Sequence, residues 1–176
     1  MKQIIIIALF SFLFSSCDLL DPRPKDTKIA HRILRKTAKE IKEKLDLKSY
    51  SITESGPSGK YELLGLGFIK NGKISKSEGR VLMIKCIHIF LKNINTEEKF
   101  QEYLSPNPFT EKNINLSILI YDKGDERFYR PDITSLNLIN GSIYYRYNIK
   151  GEEYKLEHDK ETYEEALEII KMENEQ

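Results

Sequence analysis

Residues 136–149, Leu-Asn-Leu-Ile-Asn-Gly-Ser-Ile-Tyr-Tyr-Arg-Tyr-Asn-Ile, carry the strongest structural signal in the chain. Asn140-Gly141 separates two stretches rich in β-branched and aromatic residues. An Asn-Gly pair in that position favours the two-residue turn of a β-hairpin, because both residues tolerate a positive φ. The stretch therefore predicts two antiparallel strands, at 136–139 and 142–149.

The same reasoning extended along the chain predicts strands, helices and short connections. Further strands are expected at 49–53, 61–69, 114–121 and 153–157, and helices at 27–47, at 81–94, over a short stretch at 95–104, and after Asp159. The long elements follow the order α-β-β-α-β-β-β-β-α. Because the strands are clustered rather than alternating with helices, we predict an α+β fold. Its sheet would be mostly antiparallel, with a C-terminal meander and with helices packed on one face.

The stretch 81–94 is apolar enough to be read either as a buried strand or as a helix. Its polar residues favour the helix, since Lys85, His88 and Lys92 are spaced by three and four residues and would form one exposed stripe. Cys86 lies between these residues in an apolar setting, so we expect a buried, unreactive thiol.

Two helix starts carry capping signals. Ser75 and Glu78 have the spacing of a capping box, and Asp159 stands where it would cap the final helix. His31, among the cations of the first helix, is expected to be a solvated surface residue.

The first 17 residues have the features of a secretory signal. Lys2 precedes an apolar run of about a dozen residues, which is too short to span a bilayer, and small residues lead to Cys17. The segment Leu13-Phe-Ser-Ser-Cys17 resembles the lipobox of bacterial lipoproteins. That resemblance implies a lipid on the Cys17 thiol and cleavage before it. The alternative is an ordinary secretory signal with a chance cysteine.

The lipobox resemblance divides the chain into three parts. Residues 1–16 would be the signal peptide, residues 17–26 the lipidated cysteine with a proline-containing tether, and residues 27–176 a single α+β domain. Asp18 resembles the signal that retains lipoproteins in the inner membrane. We therefore expect a lipid-anchored protein at the periplasmic face of that membrane, with the outer membrane as the alternative.

The charges nearly balance over the whole chain, which gives no reason to expect nucleic acid as a partner. Their distribution is uneven, because cations predominate in residues 22–48 and acids in residues 151–176. We predict that Lys39 and Lys42 of the basic first helix contact anionic lipid headgroups. Two alternatives remain open, namely neutralisation by the acidic C-terminal segment and a solvated helix face with neither role.

Motifs for catalysis or cofactor binding are weak. Gly67 to Lys73 matches most of a phosphate-binding loop, but Ile74 stands where a hydroxyl residue must hold Mg²⁺, so a turn is the better interpretation. The three histidines lie far apart, without partners at ligand spacing. We expect no metal and no cofactor.

On the strand at 142–149, Tyr144 and Arg146 would point away from the core if Tyr145 and Tyr147 point into it. Tyrosine and arginine are enriched in recognition surfaces, so these two residues form a candidate surface for an envelope partner, while ordinary β-propensity is the alternative explanation.

Two further segments, 108–114 and Glu161-Thr-Tyr-Glu-Glu-Ala-Leu167, are similar to those of lipoproteins of unknown role from chlamydia-like bacteria. This resemblance implies a lipoprotein domain and transfers no catalytic residue. The sequence thus favours a membrane-anchored envelope lipoprotein that binds a partner or has a structural role. The alternative is an envelope hydrolase acting on glycan or peptide.

Overall fold

Six β-strands form one sheet in which each strand lies beside its neighbours in sequence. A computed structural model describes residues 22–121, 124 and 128–175 of the chain. The strands are β1 (Lys48–Ser55), β2 (Leu63–Asn71), β3 (Ile114–Tyr121), β4 (Ser135–Ile139), β5 (Ser142–Ile149) and β6 (Glu152–Thr162). All neighbouring pairs are antiparallel except β2 and β3, which are parallel.

The α-helices pack against one face of this sheet. They are α1 (Lys25–Leu45), α2 (Lys76–Asn95) and α3 (Tyr163–Asn174), and two short 3₁₀-helices span Glu98–Tyr103 and Glu111–Asn113. Helix α2 lies across β3, β4 and β5, with α1 beside it towards β1 and α3 beside it towards β6. We call this side of the sheet the covered face and the other side the open face.

The predicted α+β class is confirmed, with two corrections. The sheet is mixed, because α2 and the 3₁₀-helix after it carry the chain back so that β3 runs parallel to β2. The stretch at 95–104 was expected to be a further helix of ordinary type, whereas its helical part is the 3₁₀-helix Glu98–Tyr103.

Alternation of side chains along the strands creates the two faces. On β3 and β5 every second residue is buried against the helices, among them Ile118, Tyr145 and Tyr147. The hairpin prediction is confirmed, since Asn140 and Gly141 have φ angles of 48° and 72° and join β4 to β5. The core is therefore one continuous layer between the sheet and the helices.

Helix α2 begins as the sequence predicted. The Ser75 hydroxyl accepts a hydrogen bond from the Glu78 amide, and the Glu78 carboxylate accepts one from the Ser75 amide. Lys85, His88 and Lys92 are exposed. The intervening side chains are buried, as those of Cys86, Ile87 and Phe90 are, or partly buried, so the helical interpretation of this apolar stretch is confirmed.

The start of α3 differs from the prediction. Strand β6 continues through Asp159 to Thr162, and the Thr162 hydroxyl, not the Asp159 carboxylate, accepts a hydrogen bond from the Glu165 amide at 3.1 Å. Asp159 pairs with Tyr145 of β5 in the sheet register, so the strand extends past the expected cap.

The N-terminal predictions fall mostly outside the described residues. Cys17 and Asp18 lie outside the described residues. Helix α1 begins at Lys25, which is two positions before its expected start at residue 27.

Candidate functional site

The predicted membrane-contact residues lie on the rim of a cleft between α1 and β1. Lys39 and Lys42 are exposed on α1, together with Arg35 one turn earlier. The cleft has a volume of about 560 Å³, and its opposite wall is the start of β1, residues 49–52. We call it the cationic cleft.

The cations of this cleft are little neutralised. Lys39 Nζ lies 3.8 Å from Glu43 Oε1 in a largely exposed pair. Arg35 and Lys42 make no hydrogen bond or ion pair with any residue that the structure describes. Among the described residues their positive charge is therefore not compensated.

The other wall of the cationic cleft carries two exposed hydrophobic side chains. Tyr50 is 47% exposed and Ile52 is 41% exposed. A row of cations beside an aromatic and an aliphatic side chain is the combination found where proteins meet the headgroup region of a membrane. Sequence reasoning identified the two lysines but not this apolar half, because Tyr50 and Ile52 lie on a different element.

Tyr144 and Arg146 lie on the open face, as the alternation predicted. The Tyr144 ring contacts both Lys160 and His158, with Lys160 Nζ 5.4 Å and the His158 ring centroid 5.8 Å from its own centroid. Arg146 makes no side-chain hydrogen bond or ion pair with the described residues. Its role in recognition stays a prediction.

The two candidate surfaces are not brought together. The cationic cleft flanks β1 at one edge of the sheet, and Tyr144 lies on β5, four strands away. At about 4.8 Å per strand, this separation is roughly 19 Å. Each surface can therefore be tested by itself.

A cluster of ion pairs, which the sequence did not reveal, lies between α2 and the last two strands. Arg80 forms a bidentate pair with Glu161, and Tyr145 donates a hydrogen bond to the same carboxylate. Lys76 Nζ and the Tyr147 hydroxyl each donate to Asp159 Oδ2 at 3.1 Å. We call these residues the α2–β6 network.

Both carboxylates of this network are held in their ionised form. The hydrogen bond from Lys76 is the main reason why the pKa of Asp159 lies below its usual value. Burial opposes ionisation of Glu161, but the hydrogen bonds from Arg80 and Tyr145 outweigh it, so its pKa is also lowered. Burial, reinforced by the nearby carboxylates, raises the pKa of Tyr145, and raises that of Tyr147 to about 12.

A cleft of about 480 Å³ opens beside this network, between the start of α2 and residues 130–132. Its cations are paired within the chain: Lys73 with Asp132, Lys76 with Asp159, and Arg130 with Glu157. Charges that are already compensated leave little attraction for an ionic substrate.

The histidines are engaged in separate contacts. Arg23 donates a hydrogen bond to His31 Nδ1. Because Nδ1 is the acceptor, Nε2 carries the ring proton and donates it to Glu54 Oε1 at 2.9 Å. The expectation that His31 is solvated was wrong, because α1 packs its first turns against β1. His88 Nε2 lies 3.0 Å from the Tyr163 hydroxyl.

Within residues 22–121 and 128–175, no three His, Cys, Asp or Glu side chains are grouped as a metal site requires. None of the helices in the described chain is long and apolar enough to cross a membrane. Comparison with protein-family models, with curated proteins and with solved structures found no match to this chain.

Proposed function

We propose that the protein is a lipid-anchored domain of the cell envelope that binds a partner close to the membrane surface. The observation that carries this proposal is the cationic cleft, in which Arg35, Lys39 and Lys42 face exposed Tyr50 and Ile52. The lipobox-like segment ending at Cys17 supplies the anchor, and Asp18 favours the periplasmic face of the inner membrane.

Chain length supports a contact between this cleft and the headgroups. Lys25, where α1 begins, is eight positions after Cys17. A chain of that length spans at most about 28 Å, so a lipid on Cys17 keeps α1 near the bilayer.

Electrostatics favours the same contact. Each cation close to an anionic membrane surface contributes about 1 kcal/mol, and the effect decays within about 8–10 Å at physiological salt. Ile52, 41% exposed beside these cations, would add burial of apolar surface in the headgroup layer.

We favour binding over hydrolysis because of the carboxylates of the α2–β6 network. A glycosidase of the usual kind needs one carboxylic acid whose pKa is raised enough to donate a proton. Asp159 and Glu161 have lowered pKa values and are paired with cations. This arrangement suits a structural role of the network rather than proton donation.

The anchor is tested by metabolic labelling with an alkynyl fatty acid in the bacterium that makes the protein. The wild type and Cys86→Ala should be labelled, because Cys86 is buried in α2. Cys17→Ala should not be labelled. Equal labelling of Cys17→Ala and the wild type would refute the lipid anchor.

The membrane contact is tested with the full chain in nanodiscs of phosphatidylcholine, with or without phosphatidylglycerol. A fluorophore on Lys36→Cys reports the approach of α1 to a quencher attached to the headgroups. Quenching should increase with the anionic lipid and should decrease with added salt or with Lys39→Glu plus Lys42→Glu.

The matched control removes the same charge elsewhere. Lys85→Glu plus Lys99→Glu, both exposed positions outside the cleft, should retain the lipid-dependent quenching. Quenching that does not depend on lipid charge would show that the cleft is not a headgroup-binding surface.

A further inference from the structure

The open face of the sheet contains a shallow groove that is lined without charged residues. It has a volume of about 280 Å³ and runs over β1, β2, β3 and β4. Its lining comprises Tyr50, Ser51, Thr53, Gly65, Leu66, Asn115, Leu116, Ser117, Asn137, Leu138 and Ile139. In a chain of which 31% of residues are charged, this neutral surface excludes ionic attraction as the basis of recognition.

Tyr50 forms one wall of the groove because of a local irregularity in β1. The register between β1 and β2 shifts between Ser49 and Ser51, and such a bulge re-aims a side chain. The Tyr50 ring lies over Gly67, and its hydroxyl donates to Ser117 Oγ at 3.3 Å. The ring is thus fixed across the open face while remaining about half exposed.

Gly67 is required for this placement. An ideal Cβ at Gly67 would lie 2.1 Å from Ser51 Oγ and 2.6 Å from Tyr50 Cζ. A glycine under an aromatic ring lets the ring lie flat against the backbone and leaves its other side to a ligand.

Amide and hydroxyl groups supply the polar part of the groove. Asn115 makes no side-chain hydrogen bond within the described residues. The Asn137 amide donates only a long bond, of 3.3 Å, to Ser135 Oγ. Each side-chain amide offers two donors and an acceptor, so most of this capacity is free for a ligand.

The groove lies mostly over inner strands of the sheet, and of the strands that line it only β1 is at the edge. Strands β2, β3 and β4 each have a neighbour on both sides, so an extended peptide cannot add a strand there. Over these three strands recognition therefore depends on side chains, through an aromatic surface and neutral amides and hydroxyls.

We infer that this groove binds a neutral, hydroxyl-rich glycan. A sugar ring has an apolar face that packs on an aromatic ring and hydroxyl groups that both donate and accept hydrogen bonds. Tyr50 meets the first requirement, and Asn115, Asn137 and Ser117 meet the second. This inference rests on the proposed binding role and names the class of partner.

Beyond the groove, the same row of open-face residues leads to Tyr144. Ser117 pairs with Asn137, and Asn137 pairs with Tyr144 in the sheet register. Gly67 and Tyr144 lie three strands apart, which is about 14 Å at 4.8 Å per strand. The Tyr144 ring already contacts Lys160 and His158, so Tyr144 marks the far end of this row and Tyr50 supplies the stacking position.

The inference is tested by titrating the full chain, in a polyoxyethylene detergent that contains no sugar, with the tetrasaccharide of β-1,4-linked N-acetylglucosamine. Signals of Gly65, Gly67 and the side-chain amides of Asn115 and Asn137 should shift in ¹⁵N-correlated NMR spectra. Calorimetry should show saturable binding. A polyglutamate peptide should leave these signals unchanged.

Variants identify the groups that bind. Asn137→Ala and Tyr50→Ala should each weaken binding about tenfold, which corresponds to about 1.4 kcal/mol. Tyr50→Phe keeps the ring and should bind within about threefold of the wild type, since it loses only a long hydrogen bond. Asn174→Ala, which removes an exposed amide from α3, is the matched control and should bind normally.

Two results would overturn the inference: no saturable shift with the tetrasaccharide, or an affinity that is unchanged from the wild type in both Asn137→Ala and Tyr50→Ala. Either result would leave the Cys17 labelling and the headgroup contact untouched. Conversely, binding of the sugar without lipid labelling of Cys17 would refute the lipid anchor but not the glycan site.

Discussion

Arg80 on α2 and Glu161 on β6 form a buried bidentate ion pair across the interface between helix and sheet. The distance from Arg80 Nε to Glu161 Oε1 is 2.8 Å and that from Nη2 to Oε2 is 3.0 Å. Both side chains are 8% exposed. The Tyr145 hydroxyl donates to the same carboxylate, so this contact joins α2, β5 and β6 at one point.

Breaking this pair should be costly. Arg80→Ala leaves the Glu161 carboxylate buried with Tyr145 as its remaining hydrogen-bond donor, and removing one partner of a buried pair costs about 3–5 kcal/mol. We expect a loss of that size in the free energy of unfolding measured with urea. Lys44→Ala, which removes an exposed i,i+4 pair with Glu40, should cost less than about 1 kcal/mol.

A double variant distinguishes the pair from mere packing. Arg80→Met with Glu161→Leu removes both charges and should be more stable than Arg80→Ala alone, because no uncompensated charge stays buried. If the double variant loses as much as the sum of the single changes, the ion pair is not the source of the effect.

Stability should fall in acid because of the same network. The pKa values of Glu161 and Asp159 are lower in the folded protein than their ordinary values, which are about 4.3 and 3.9. The unfolded chain therefore binds protons first. The stabilisation is complete above about pH 5 and is lost as the pH falls through the folded-state values.

The measurement is a series of urea midpoints between about pH 6 and pH 3. Glu161→Gln should be less stable than the wild type at neutral pH, but its midpoint should decrease less over the acid range. Glu164→Gln, at an exposed position of α3, should behave as the wild type does. If the urea midpoints of Glu161→Gln and the wild type decreased equally over the acid range, Glu161 would not be a source of the acid sensitivity.

Gly67→Ala should destabilise the protein and displace Tyr50. The added Cβ would clash with Ser51 Oγ and with the Tyr50 ring, and such overpacking costs about 1–3 kcal/mol. At Gly65 the nearest atoms to a Cβ would be 3.2 Å away or more, so Gly65→Ala should cost less.

A double-mutant cycle measured by urea unfolding checks the contact with Tyr50. Adding Tyr50→Ala to Gly67→Ala should recover part of the loss, because the ring no longer resists the Cβ. Strictly additive costs would mean that Tyr50 does not lie over Gly67 in solution.

The exposed stripe of α2 gives a simple test of the helix phase. Lys85 is exposed, so Lys85→Ala should change the free energy of unfolding by less than about 0.5 kcal/mol. Ile87 is fully buried, and Ile87→Asp should unfold the domain, since a buried unpaired carboxylate costs several kcal/mol of a total near 5–15. Circular dichroism shows how far each variant is unfolded. If Lys85→Ala unfolded the domain more than Ile87→Asp, the exposed and buried faces of α2 would be wrongly assigned.

The predictions that succeeded depend on residues close together in the chain. Asn140-Gly141 forms the hairpin turn because its backbone accepts positive φ, and Ser75 caps α2 through a partner three positions away. The alternation on β5 likewise places Tyr144 and Arg146 on the open face. No distant contact had to be known for any of these.

The predictions that failed depend on distant partners. Asp159 has the local features of a helix cap, yet Lys76, 83 positions earlier, and Tyr145 of the neighbouring strand keep it in β6. His31 was expected in solvent but contacts Glu54 across 23 positions. Tyr50 was placed in a regular strand, and the bulge that turns it over Gly67 is a property of the pairing with β2.

By itself, the sequence determined the α+β class, the order of the long elements, the hairpin and the faces of α2 and β5, because periodicity, caps and turn residues act over a few positions. Only the tertiary structure decided that β2 and β3 run parallel and that Arg80 forms an ion pair with Glu161. It also decided that exposed Tyr50 and Ile52 lie beside the cations of α1, and that a neutral groove crosses the open face. These relationships arise when strands pair and helices pack. The side chains that then come into contact are far apart in sequence, and the local sequence patterns do not show which of them will meet.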